Sequence, residues 1–182
     1  MTDPHRPYRQ LARNNRLANR RLAAAIAALQ PGEWEAPRTS FFPSLRATLN
    51  HIHLVDRFYI DALHGGTLGV SVFANREPFA DPSALAAAQD ALDATALAFV
   101  TAAPDLDRPV HIHRATHIQT ETVADTLMHL LLHSQHHRGQ VHAMLAGTSV
   151  RPPQLDEFFM ADDARFRTAD LAALGWTEAD LG

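Results

Sequence analysis

The sequence predicts an all-α chain folded as a four-helix bundle, and three observations carry that reading. Four long stretches repeat apolar residues at helical spacing, Pro and Gly punctuate the gaps between them, and no repeat or low-complexity linker intervenes. At 182 residues the chain fits one domain over 1–182, with a bundle core at about 8–147 and a C-terminal extension at 148–182.

The first helix is expected from about Tyr8 to Leu29. Leu11, Ala18, Leu22, Ala25 and Leu29 share one face, Arg9, Arg13, Arg16 and Arg20 line the opposite one, and Pro31-Gly32 ends the run. The second follows SFFPSL, from about Ser44 to Leu63, and stops before Gly65-Gly66. The third opens on Asp81-Pro82, an N-cap followed by Pro at the first helical position. Then comes RPVHIHRATHIQTE, where Val110 and Ile112 alternate with His111 and His113, the pattern of a short strand or hairpin that lacks a turn Gly. The fourth helix runs from about Thr122 to Ala146, with Gly147 as its stop. VRPPQLDEFF is a proline-stiffened segment expected to lie across the bundle, and the tail holds a short helix around Ala169 to Leu174.

Composition narrows the chemistry. The chain has no Cys, which removes disulfides, thiolate nucleophiles and thiolate metal ligands. All 16 basic residues are Arg, so Schiff-base and phosphate-loop lysines are excluded. A net charge of -4 gives no general attraction for nucleic acid. The opening MTDPHRPYRQLARNN lacks the apolar core of a signal peptide and no run approaches membrane-spanning length, so a cytoplasmic protein is expected.

Histidine is the unusual feature. Four of the 12 fall between His133 and His142, in LLLHSQHHRGQVHAML. At 100° per residue, Ala47, Leu54, Val55, Phe58 and Ala62 lie within about 60° of His51, while His53 lies about 200° away, outside the stripe. On the fourth helix Thr126, His129, His137, Gln140 and Met144 cluster within about 40° of His133, with His142, Gln135 and Arg138 opposite. His133 and His137, one turn apart, can reach a single ion, and His51 is best placed to supply a third imidazole. The wheels leave two readings open: core histidines bonded to polar partners, or three ligands of one cation.

Other constellations are weaker. HLLLH has Leu130 where a metalloprotease helix carries its general-base Glu. His111, His113 and His117 fit a solvated strand face better than a second cluster. GGTLGVS lacks the spacing of a nucleotide-binding loop. Close helix packing accounts best for Gly139, and Phe41, Phe42, Phe158 and Phe159 suit core packing, pocket closure or a dimer surface.

TLNHIHLVDRFY followed about eighty residues later by HSQHHRGQVHAML resembles the DinB/YfiT-like family of bacterial proteins grouped as metalloenzymes. The resemblance extends from YRQLARNNRLANRRL to PPQLDEFF, at about Phe159. It implies an up-down-down-up four-helix bundle with a metal held by His51, His133 and His137. It also implies hydrolysis or transfer of a low-molecular-weight thiol, with catalytic residues beyond the ligands unknown. Two positions depart from the family pattern: Leu132 stands where Asn is common, and RATHIQ has no Gly at the hairpin tip.

Three neutral imidazoles leave open positions on a divalent ion, Zn or Ni, whose undiminished charge favours ionising water or an exogenous thiol. The expected partner is a small-molecule substrate; a homodimer is compatible with the sequence, and a membrane is not expected. Two rival readings stand beside this one. One is a non-catalytic bundle braced by a structural metal; the other is a module for nucleic acid or an acidic partner using the Arg9–Arg20 stripe, which a solvated helix face also explains.

Overall fold

The computed structural model describes residues 3–181 and is mostly helical, with one small two-stranded sheet. The four long helices are α1 (Arg6–Ala27), α2 (Leu45–Leu63), α3 (Pro82–Thr101) and α4 (Val123–Leu145). Each expected helix is present, and the termini follow local chemistry. Ser44 caps α2 by accepting a hydrogen bond from the Ala47 amide at 3.0 Å. Asp81 caps α3 through the Ser83 and Ala84 amides, with Pro82 at the first helical position. Thr122 caps α4 through the Asp125 amide. Both α1 and α2 pack against both α3 and α4, so each of the four helices has two neighbours.

Strands β1 (Pro109–His113) and β2 (Ile118–Thr122) form an antiparallel hairpin between α3 and α4, with His111 opposite Thr120. Its tip closes without Gly because the Arg114 amide donates to the His117 carbonyl at 2.9 Å. Val110 and Ile112 turn inward onto α2, while His111 and His117 are exposed. A 3₁₀ stretch, Gly69–Ala74, crosses the same end of α2. Gly69 adopts φ +53, and a Cβ there would lie 2.8 Å from the His113 carbonyl oxygen, so the close approach of this stretch to the hairpin requires glycine.

Four expectations need correction. His53, placed outside the apolar stripe, is buried, because α2 is covered by α3 as well as α4. Arg138, placed on the face opposite the site, is also buried, for reasons given below. The Arg stripe of α1 is not a free solvated face: Arg16 and Arg20 both pair with Asp90 of α3, Arg9 pairs with Asp3, and Arg13 reaches the Leu181 carbonyl. Gly139 is exposed with nothing within 4 Å of where a Cβ would sit, so close packing does not explain it.

The C-terminal segment closes over α1. Phe158 is fully buried with Leu17, Ala18 and Leu171, whereas Phe159 stays exposed. Arg21 fastens this segment by bonding Glu157 and Asp170. Helix α5 (Ala164–Ala173) begins five residues earlier than the apolar pattern indicates. Buried Arg167 anchors it, donating to the Glu157 and Met160 carbonyls and to Glu178. No helix among the described residues is long and apolar enough to cross a membrane.

Candidate metal centre

On α4, His133 and His137 lie one turn apart and point towards α2, where His51 meets them. The three ring centroids are 4.5–5.0 Å apart. One ligand nitrogen from each ring lies within 4.8 Å of the other two, forming a group that can hold a metal ion. The His51 and His133 Nε2 atoms are 3.1 Å apart. Two nitrogens bound at about 2.0–2.1 Å to one tetrahedral ion are about 3.3 Å apart, so the close pair already has the required spacing. No carboxylate joins the group, and the His111, His113 and His117 side chains form no such group among the described residues.

Electrostatics prepares the rings as donors. Burial pushes the His51 imidazole down to about 4, with the like charge of His137 adding to the effect. His133 falls to about 3, mainly through burial and then through His137 and His51. Burial lowers His137 as well, against an opposing hydrogen bond from Gln140. All three rings are therefore neutral near pH 7, the form a metal needs. His133 Nδ1 is buried and has no hydrogen-bond partner, so packing holds that ring, not a polar contact.

Gln140 is a support that the wheel placed on this face without giving it a role. Its Oε1 accepts from His137 Nδ1 at 2.8 Å, which leaves the His137 Nε2 lone pair free. Its amide nitrogen donates to His136 Nε2 at 3.2 Å, fixing which end of the amide faces His137. Gln140→Ala is expected to weaken metal binding about 10–100-fold in competition against a chelating indicator. Unchanged affinity would show that Gln140 does not set the tautomer.

Aromatic side chains wall the cluster. Phe42 packs on His51 at 4.3 Å and on His137 at 5.5 Å between centroids, so it shields the rings from solvent. Phe41 is 78% exposed, although its ring still comes within 6.4 Å of His137. His129 stacks on His133 at 6.1 Å and packs on Tyr59. Leu132, the departure from the family pattern, is 58% exposed and supports none of the three rings.

Ser134 and Arg138 each follow one of these histidines by one residue and point into the bundle, where a buried polar layer crosses all four helices. Asp56 of α2 accepts from Ser134 at 2.6 Å and from Gln89 of α3 at 2.8 Å. Gln89 also donates to Asp93 and accepts from His53 Nδ1 at 3.1 Å. Asn15 and Asn19 of α1 donate to Asp93 at 2.9 and 2.8 Å, and Arg138 donates to the oxygens of both amides. Burial raises Asp56 to about 7, with Asp93 pushing the same way, and burial raises Asp93 to about 6. Two carboxylates share a single guanidinium here, so ionising both is disfavoured. The layer escaped sequence reading because its members come from four distant segments.

No curated protein shows significant similarity to the chain. The model of the DinB family matches residues 1–170, a span that takes in the four long helices, the hairpin and all three clustered histidines, and the chain belongs to that family.

Proposed function

We propose that the protein is a divalent-metal-dependent enzyme in which His51, His133 and His137 hold one ion, Zn or Ni, for hydrolysis or thiol S-transfer. The observation that carries this is the convergence of three neutral imidazoles, with no anionic side chain among them. When bound, the ion supplies Lewis acidity that favours the deprotonated form of water or of a thiol. With no Cys in the chain, a sulfur nucleophile comes from a small exogenous thiol. Gln140 orients His137, and Phe42 keeps bulk water off the rings.

The reading includes an up-down-down-up order of helices in one domain. In support, His5 bonds the Pro104 carbonyl while Arg16 pairs with Asp90, so α1 and α3 run in opposite senses. Tyr59 packs on His129 while His51 packs on His137, giving α2 and α4 the same relation.

Elemental analysis of protein purified without chelator is expected to find about one equivalent of Zn or Ni, with turnover of electrophiles or amides in a screen with and without thiols. Protein free of metal under those conditions would overturn the proposal. A large chelator-induced loss of thermal stability with no turnover in any assay would favour a bracing metal.

A further inference from the structure

Beside the cluster lies a cleft of about 430 Å³, within the ~300–1,000 Å³ range of small-ligand sites. His51 forms one part of its lining, and Phe42, Leu54 and Phe73 give it apolar walls. Two charged residues complete the rim. Glu77 is already engaged, paired with Arg46 at 2.9 Å. Arg76 is exposed and makes no hydrogen bond or ion pair among the described residues. The cleft thus joins an apolar body, a reactive edge and one uncompensated guanidinium.

The other flank differs. The cleft of about 270 Å³ beside His129 also contains an arginine, Arg114, but this one is bonded to Gln119 and Tyr59 and shares its site with Glu121 and Asp125. A cavity of about 50 Å³ between α1 and α3, under Trp34 and Arg20, is too small for a substrate. Only the Arg76 cleft combines access to the cluster with an unanswered charge.

We infer that this cleft is the substrate site and that it takes a small organic acid with an apolar body, the carboxylate held by Arg76. A guanidinium forks onto a carboxylate through two parallel N–H donors, a geometry a neutral amide cannot reproduce. The carboxylate then sits at the rim, the apolar part lies along Phe73 and Leu54, and the far end reaches His51. The inference rests on the three-histidine cluster being the reactive centre.

The test uses 3-phenylpropionate, its neutral amide and acetate as probes, titrated calorimetrically into the full chain stripped of metal. This readout is independent of metal loading, which elemental analysis reports separately. The acid is expected to bind at least about tenfold more tightly than the amide or acetate. Arg76→Gln should erase the preference for acid over amide, and Arg76→Lys should restore part of it. Equal binding of acid and amide, survival of the preference in Arg76→Gln, acetate as tight as the aromatic acid, or no binding at millimolar concentration would each overturn the inference.

Discussion

Arg138→Met is expected to lower the free energy of unfolding by about 3–5 kcal/mol, the cost of removing one partner from a buried charge network. Arg138 donates to the side-chain oxygens of Asn15 and Asn19, and those amides donate in turn to Asp93. Its charge also lowers the pKa of both Asp56 and Asp93, against the burial that raises them. Without the guanidinium, two buried carboxylates keep only neutral donors. The sign with pH follows. Because their folded values, about 7 and about 6, lie above the ordinary carboxylate value, the stability these groups contribute is present in acid and lost as pH rises through 6 to 7. Deleting Arg138 pushes both values further up, so the deficit should be larger at pH 8 than at pH 5 in urea denaturation. Adding Asp93→Asn should recover part of the loss, since it removes one of the two uncompensated charges. A cost below about 1 kcal/mol, or one independent of pH, would mean that the layer is not electrostatically coupled as drawn.

His133→Ala is expected to reduce metal affinity by more than about 100-fold, beyond the loss from an outer supporting residue. It should leave the metal-free protein nearly as stable as before. Burial already penalises this ring, pushing it down to about 3, and its Nδ1 has no partner to be orphaned by the deletion. Thermal melts with and without chelator separate the two effects: the metal-dependent rise in Tm should vanish while the chelated value barely moves. His129→Ala is the control, because His129 stacks on His133 from outside the three-ring group. Stoichiometric metal in His133→Ala, or its loss in His129→Ala, would assign the wrong side chains.

The parts of this structure that were legible in the sequence are those set by short-range rules. Asp81-Pro82 marks the start of α3 because capping is a contact over two or three residues. His133 and His137 face together because a helix repeats every 3.6 residues, and His51 shares a stripe with Leu54 and Phe58 for the same reason. A wheel assumes one buried face, which is where it failed. His53 and Arg138 look solvent-facing until Gln89, Asn15 and Asn19, all distant in sequence, arrive to satisfy them. Phe42 was legible only as one of several aromatics, since its place over His51 depends on the path of the segment before α2. Helix α5 gave an equally poor signal, because its anchor is an arginine rather than an apolar residue.

Helix α4 carries two kinds of side chain in phase: His133 and His137 on one flank, Ser134 and Arg138 on the next. A slip or rotation of this helix that misaligned one pair would dislocate the other. The amide and carboxylate partners therefore act as an alignment key for the imidazoles, fixing their stagger against α2 before any ion arrives. Cation capture then requires little rearrangement of the chain, and this places the protein apart from small zinc domains that order only around their metal.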